Sequence, residues 1–137
     1  MRRAMAQERR LSAPVIEPGM EPFWNAAKEG RLLVKRCETC TRLHWYPRVL
    51  CPYCLSDQTH WQQVSGHGTL YSYTVMRRAE PRYAIAYVTL EEGVTMLTNI
   101  VDCDFATLRI GAPVQVTFRA TEGDGAVLMF RPVEHRP

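Results

Sequence analysis

Apolar and polar positions alternate through the second half of the chain with the two-residue period of β-strands. The first alternating segment is GTLYSYTVM, residues 68–76. Its two faces are predicted to hold alternate residues, Leu70, Ser72 and Thr74 against Tyr71, Tyr73 and Val75. Two further segments, YAIAYVTL and VTMLTNIV, lie on either side of a turn at Glu92-Gly93. This spacing predicts a β-hairpin.

Two more segments complete a set of five strands. PVQVTF and AVLMF are joined by TEGDGA, which contains a Gly-Asp-Gly turn. Between the third and fourth strands, DCDFATLRIG predicts a short helix with Asp104 as its N-cap and Gly111 as its terminator. This order matches a five-stranded OB-type barrel, and a five-stranded SH3-like barrel is the alternative. The chain is therefore predicted to be mainly β.

Near the N-terminus the period changes to that of a helix. In EPFWNAAKEG, Pro22 suits the first helical position and Gly30 suits the position just past the end. The apolar residues on one face are Phe23, Ala26 and Ala27. So short a helix is not stable alone and must dock on other structure. Because Trp24 is adjacent to Phe23, one aromatic ring is also a candidate contact for a partner or ligand.

Four of the five cysteines lie between the helix and the barrel, as two Cys-x-x-Cys pairs. The strands RLLVKR and HWQQV flank these pairs, so the layout is that of a zinc ribbon. A single redox motif would begin a helix in a βαβ unit, and a reducing compartment disfavours disulfides. The predicted metal ligands are Cys37, Cys40, Cys51 and Cys54. Four thiolates suit Zn²⁺, with iron as the alternative, and they leave no open position for catalysis.

Charge and hydropathy argue against two roles for the chain, dedicated nucleic-acid binding and insertion into a membrane. The net charge of the 137 residues is +3, and the first ten residues carry all of this excess as four arginines and one glutamate. A dedicated nucleic-acid binder usually carries its positive charge across the binding domain. No apolar run reaches the roughly 20 residues of a membrane span, and no apolar segment of a secretory signal follows the basic start. We therefore expect a cytoplasmic protein that does not enter the membrane.

These observations divide the chain into three parts. We predict a flexible basic tail over residues 1–16, a helix and zinc ribbon over 17–62, and a barrel over 63–137. HExxH, GxSxG, P-loop and GxGxxG motifs are absent. Cys103 is interpreted as a small buried apolar residue, and His44 as a packing or surface residue. The expected role is binding or accessory rather than catalytic.

The ordered segments also resemble the DUF35 family. The resemblance rests on FWNAAKEGRLLVKRC, CETC, YPRVLCPYC, Trp61, SGHGTLYSYTV, YAIAYVTLEEG, LTNIV, IGAPVQVTF and FRP, and it covers about residues 17–133. In that family a rubredoxin-like zinc ribbon precedes an OB-fold. One departure is Thr41, where the family often has glycine. Because glycine eases a left-handed turn, the threonine is expected to stiffen this knuckle.

The resemblance implies an accessory subunit of an acyl-CoA-processing complex, which binds a thiolase-superfamily enzyme and helps to bind CoA. The implied partner contacts are Phe23, Trp24 and Trp45. The cations expected to face CoA phosphates are Lys35, Arg36, Arg42 and Arg48. The alternative function is a module that binds single-stranded nucleic acid. The bases of the bound strand would stack on Tyr71, Tyr73, Tyr83 and Tyr87.

Overall fold

The structure is a computed structural model that describes residues 10–133. Its elements, in chain order, are α1 (Glu21–Lys28), β1 (Leu32–Cys37), β2 (Leu43–His44), β3 (Thr59–Val64), β4 (His67–Met76), β5 (Tyr83–Leu90), β6 (Thr95–Ile100), a 3₁₀ turn (Phe105–Thr107), β7 (Pro113–Ala120) and β8 (Ala126–Pro132). The first three strands form a small antiparallel sheet in the order β2-β1-β3. The other five close a barrel in the order β4-β5-β6-β8-β7. The predicted mainly β class and OB-type barrel are confirmed.

The structure does not describe the two ends of the chain. The predicted flexible tail includes residues 1–9, and the predicted barrel includes residues 134–137; both segments are outside the described residues. Near the first described residue, the backbone carbonyl of Leu11 accepts a hydrogen bond from the N–H of Glu122, at 2.9 Å. Arg10 pairs with the same Glu122 at 3.1 Å. No helix among the described residues is long and apolar enough to span a membrane.

Helix α1 buries the face that its sequence predicts. Phe23, Ala26 and Ala27 are all buried, and Gly30 follows the helix with a left-handed φ of +76°. The helix begins at Glu21, one residue before the predicted start, with Pro22 in its first turn. Proline is tolerated there because the first N–H groups of a helix have no intrahelical acceptor.

The barrel core is built from the inward residues of β5 and β6 and from Phe130 on β8. The fully or almost fully buried side chains of the two strands are Ala84, Ala86, Val88, Leu90, Met96 and Ile100. Each alternates with an exposed or half-buried residue, as the sequence pattern predicts. Phe130 is completely buried at the point where β8 meets β6 in parallel. The hairpin turn between β5 and β6 is confirmed, with Gly93 at a φ of +100°.

Strand β4 departs from the predicted alternation. Its pairing with β5 shifts between Leu70 and Ser72, which is a β-bulge. The extra residue reverses the two faces, so that Leu70 is buried before the bulge and Tyr73 and Val75 face the core after it. The prediction that Leu70, Ser72 and Thr74 share one face is therefore wrong. Tyr71, at the bulge, is 66% exposed.

The predicted short helix is a single 3₁₀ turn. Asp104 caps it as expected, because its Oδ1 accepts a hydrogen bond from the N–H of Ala106 at 3.0 Å. The turn ends at Thr107 and does not continue to Gly111. Gly111 instead redirects the chain into β7, with a φ of +87° and its N–H donating to the carbonyl of Leu70 at 2.7 Å.

The SGHG segment joins the small sheet to the barrel, and packing explains its glycines. A Cβ on Gly66 would lie 2.3 Å from Cγ1 of Val116, and one on Gly68 would lie 2.5 Å from the carbonyl oxygen of Thr89. The backbone N–H of Ser65 donates to the Glu92 carboxylate at 2.8 Å. The ribbon therefore meets the barrel through a short, crowded joint with little room for side chains.

Candidate metal centre

The two Cys-x-x-Cys pairs bring their four sulfurs together. All four Sγ atoms lie within 4.8 Å of one another, and this is the only such cluster of His, Cys, Asp and Glu in residues 10–133. Cys37 and Cys54 are 3.6 Å apart, as are Cys40 and Cys51. A disulfide needs about 2.05 Å, whereas a tetrahedral shell with metal–sulfur bonds of about 2.3 Å separates its sulfurs by roughly 3.8 Å. The spacing fits one tetrahedrally bound metal ion.

Electrostatics also require a cation at this cluster. Hydrogen bonding from the backbone N–H of Cys40 is the largest influence that lowers the pKa of Cys37, to about 6. The backbone N–H of Ser56 lowers the pKa of Cys54, but burial and the three neighbouring sulfurs outweigh it and raise this pKa to about 11. Four thiolates therefore do not coexist here unless a positive ion compensates their charge.

The arrangement points to a structural role for the metal. Cys37 and Cys51 have no exposed surface. Backbone N–H groups of the knuckles turn toward the sulfurs, with Cys40 donating to Cys37 at 3.5 Å and Tyr53 to Cys51 at 3.4 Å. Four protein ligands close the shell, whereas a catalytic zinc keeps one position for water or substrate. The four predicted ligands are the residues that the structure brings together.

The residue after each Cys-x-x-Cys pair adopts a left-handed backbone. Thr41 has a φ of 65° and Leu55 a φ of 64°, and both side chains are exposed. This region favours glycine and costs a residue with a Cβ about 1–2 kcal/mol. The expectation that Thr41 stands where a glycine would ease a left-handed turn agrees with this geometry.

We expect Thr41→Gly to raise the free energy of unfolding by about 0.5–1 kcal/mol, since relief of the left-handed strain exceeds the added entropy of the unfolded chain. Chemical denaturation of the metal-loaded protein measures this change. Metal content should stay the same, because Thr41 contributes no ligand. A variant less stable than the parent would show that the threonine is not strained.

Four aromatic rings connect the helix to the ribbon. The ring centroid of Phe23 lies 5.1 Å from that of Trp24, 5.1 Å from that of Trp45 and 6.2 Å from that of Trp61. Phe23 is only 4% exposed, whereas Trp24 and Trp45 are half-buried. The cluster therefore holds three parts of the chain together. Partner contact by Phe23, Trp24 and Trp45 stays a prediction, although Phe23 has almost no exposed surface of its own.

The four cations predicted to face CoA do not share one surface. Lys35 and Arg36 are consecutive in β1 and point to opposite faces of the sheet. Lys35 lies over the ring of Trp61 at 4.6 Å, and Arg36 donates to Gln62 at 3.4 Å. Arg42 and Arg48 are exposed, and both lie within the loop between the two inner cysteines, Cys40 and Cys51. The CoA role stays a prediction.

His44 lies between the cysteine pairs but is not part of the sulfur cluster. Its side chain is buried, and neither ring nitrogen makes a hydrogen bond of normal geometry. Burial lowers the pKa of His44; the backbone of Arg48 opposes this, and the charges of Lys35 and Arg48 add to it. His44 is therefore a neutral packing residue beneath the loop.

The loop between and beside the ligands carries apolar residues that the sequence patterns did not single out. Five of the thirteen large hydrophobic residues that are exposed in residues 10–133 lie within ten consecutive positions. We call them the knuckle surface: Tyr46, Val49, Leu50, Tyr53 and Leu55. Solvated loops are usually polar, so a run of apolar residues between metal ligands was the available signal.

The outer face of the barrel has a different character. Tyr71, Tyr87 and Leu97 are exposed on neighbouring strands, with Tyr87 paired to Leu97. Strands β4, β5 and β6 contain no Lys, Arg, Asp or Glu. Tyr73 faces the core instead and donates to the carbonyl of Leu108 at 3.0 Å. A strand-binding groove needs cations beside its aromatic rings, so this face does not support nucleic-acid binding.

Cys103 lines an open cavity of about 910 Å³ at one end of the barrel, together with Asp102, Asp104, Phe105 and Arg119. Burial raises the pKa of the Cys103 thiol, and the charges of Asp104 and Asp102 raise it further. Arg119 is paired with Asp102 rather than with the sulfur. A protonated thiol without a base is a poor nucleophile, so this cysteine does not resemble a catalytic one.

A closed four-cysteine ribbon joined to a five-stranded OB-type barrel defines the class of this protein, a small protein made of one metal ribbon and one OB-fold. Two family models match consecutive parts of the chain. Residues 24–60 match the ChsH2 rubredoxin-like zinc ribbon domain, and residues 61–119 match the ChsH2 C-terminal OB-fold domain. The chain belongs to the DUF35 family.

Several relatives are similar over most of the chain. A DUF35 domain-containing scaffold protein of Methanocaldococcus jannaschii is 32% identical, and the match covers 82% of this chain and 89% of the relative. A probable enoyl-CoA hydratase alpha subunit of Thermomonospora curvata is 34% identical over 80% of this chain, which spans only 36% of that relative. The solved Ltp2-ChsH2(DUF35) aldolase contains a chain that is 31% identical, with a TM-score of 0.78, and the match covers 88% of this chain and 98% of that one.

Proposed function

We propose that this protein is a non-catalytic accessory subunit of an acyl-CoA-processing complex, and that its partner is a thiolase-superfamily enzyme, either a thiolase or a thiolase-like aldolase. One observation carries the proposal. Almost the whole of a chain in the Ltp2-ChsH2(DUF35) aldolase corresponds to this chain, at a TM-score of 0.78. The relatives named scaffold proteins, and the relative named a hydratase alpha subunit, support the same class of role.

The chemistry of the described residues supports a role without catalysis. The metal shell has four protein ligands, so the ion has no free position at which to polarise a thioester. The thiol in the barrel cavity has a raised pKa. The catalytic groups of the complex are therefore assigned to the partner enzyme.

We propose Zn²⁺ as the metal, with iron as the alternative. A tetrahedral set of four thiolates suits both ions, but Zn²⁺ has no redox chemistry and is the usual choice in structural ribbons. None of the five cysteines, all of which lie in the described residues, forms a disulfide. Reduced thiols persist in the cytosol, so we place the protein in the cytoplasm.

Co-purification tests the proposal. The tagged chain is co-expressed in turn with candidate thiolases and thiolase-like aldolases, and we expect one thiolase-type enzyme to be retained through affinity and size-exclusion steps at micromolar concentration. A β-barrel protein without a ribbon serves as the control for non-specific retention. A chain that elutes alone in every combination would contradict the proposed function.

The alternative function has its own test. We expect a fluorescent single-stranded oligonucleotide to show no binding in an anisotropy titration at low salt, since strands β4, β5 and β6, which carry the exposed tyrosines of the barrel, contain no charged residue. Micromolar binding that weakens steeply with added salt would favour the nucleic-acid module instead.

A further inference from the structure

The residues of the knuckle surface are apolar and exposed, and they lie within ten consecutive positions around the metal ligands. Val49 is 78% exposed, Leu55 73% and Leu50 49%, although all three are aliphatic. Single exposed apolar residues are ordinary, whereas a cluster of them on one short loop marks an interaction site. The two rings at its edge, Tyr46 and Tyr53, are the residue type that is enriched at protein interfaces.

Leu55 adds an independent observation. Its backbone is left-handed, with a φ of 64°, and a leucine is rarely found in that region. Its side chain buries little surface within the chain to offset this strain. The left-handed backbone is common to both knuckles, since Thr41 has nearly the same φ, so what distinguishes Leu55 is an exposed aliphatic side chain at such a position. A contact outside this chain explains that side chain better than packing within the chain does.

The charge of this region indicates what kind of surface would cover it. Residues 39–56 contain Arg42 and Arg48 and no Asp or Glu. Arg42 stacks over the ring of Tyr53 at 4.8 Å, and neither arginine forms an ion pair with a carboxylate in the described part of the chain. A partner that covers the knuckle surface is expected to be apolar at its centre and to carry carboxylates at its rim.

The loop is also held in a fixed shape before it meets a partner. Its ends are Cys40 and Cys51, and the metal site joins them. His44 and Trp45 anchor its underside, one buried and one packed against Phe23. Fixing a loop in its bound conformation lowers the entropy cost of association.

We infer that the enzyme subunit of the complex docks on the knuckle surface, through an apolar patch whose rim presents carboxylates to Arg42 and Arg48. The inference rests on the proposed function, since the partner is the enzyme named there. It adds the location and chemistry of the contact. The metal then contributes to binding as well as to folding, because it holds the docking loop in a fixed conformation.

The test compares substitutions by their effect on the dissociation constant of the purified complex, measured by titration calorimetry. We expect Leu50→Asp to weaken binding by about tenfold or more, because a charge enters the apolar centre. Arg48→Glu should weaken binding by a similar factor at low salt and by less at high salt. Leu97→Asp is the matched control, since Leu97 is also exposed, at 59% against 49% for Leu50, but lies on the barrel.

Leu55→Gly separates binding from folding. Relief of the left-handed strain should raise the melting temperature, while loss of the side chain should weaken binding about fivefold or more. Thr41→Gly removes the equivalent strain in the other knuckle and should leave binding unchanged. Opposite signs for stability and affinity in Leu55→Gly are not expected of a residue with a purely structural role.

The possible results are distinct. Weaker binding by Leu50→Asp, Arg48→Glu and Leu55→Gly, with the affinity of Leu97→Asp unchanged, supports the inference. A parent complex that forms normally, together with knuckle variants of unchanged affinity, overturns the inference and leaves the proposed function intact. An Arg48→Glu variant that binds normally but raises the KM for CoA assigns the arginine to CoA and overturns its role in docking. Failure of the parent chain to bind any enzyme overturns both.

Discussion

Purified Cys51→Ser should contain almost no metal and should lack a folded ribbon, whereas the parent chain should hold one metal ion. Cys51 is completely buried, and its sulfur lies 3.6 Å from that of Cys40. Structural zinc contributes roughly 10–16 kcal/mol to the folding of small ribbon peptides, and this exceeds what so small a sheet stores in packing. Elemental analysis measures the metal, and tryptophan fluorescence reports the state of the ribbon.

Cys103→Ser is the matched control for this change. Cys103 lies at the barrel cavity, outside the sulfur cluster, so its substitution should leave the metal content at that of the parent. The barrel has its own core around Phe130 and should keep its β-sheet circular dichroism in both variants. A folded, metal-loaded Cys51→Ser protein would show that this cysteine is not a ligand.

Phe23→Ala should lower the free energy of unfolding by about 3–5 kcal/mol, the usual cost of deleting a buried phenylalanine ring. The ring is 4% exposed and contacts the rings of Trp24, Trp45 and Trp61. These are the three tryptophans of the chain, so their fluorescence reports on this junction directly. Urea unfolding followed by that signal measures the loss.

Tyr71→Ala serves as the comparison for Phe23→Ala. Tyr71 is 66% exposed on the barrel, so its removal should change the free energy of unfolding by less than about 0.5 kcal/mol. If Phe23→Ala cost no more than Tyr71→Ala, the aromatic cluster would not be what joins the helix to the ribbon.

The fold was largely predictable because its main signals are local. The segments YAIAYVTL and VTMLTNIV on either side of a Glu92-Gly93 turn identified the β5–β6 hairpin, and the spacing of the cysteine pairs identified the ribbon. The bulge in β4 was not predictable, since apolar and aromatic residues occupy both possible faces of GTLYSYTVM. A single inserted residue exchanges the faces without changing the composition of the strand.

The site was predictable only in part. The four ligands follow from sequence spacing, because thiolates two residues apart reach one ion. The knuckle surface does not, because a short apolar run such as Val49-Leu50 is also what a buried strand would contain. Only the structure shows that these side chains remain exposed and that Leu55 occupies a left-handed position.

The spread of the predicted cations has the same origin. Lys35, Arg36, Arg42 and Arg48 are close in sequence, but strand alternation and the fold of the loop separate them in space. Their closeness in sequence therefore suggested one shared surface, which the fold does not form. Arg42 and Arg48 share one loop, whose ends Cys40 and Cys51 belong to the same sulfur cluster.

The central claim is that the chain is a required subunit of an enzyme complex but has no catalytic activity of its own. Turnover of a CoA thioester tests this claim most directly. The rate of thiolysis or of aldol cleavage is measured for the chain alone, for the partner enzyme alone and for the complex at matched concentrations. We predict no turnover by the isolated metal-loaded chain, and a rate for the complex well above that of the partner alone. Turnover by the isolated chain, lost in Cys103→Ser, would contradict the account.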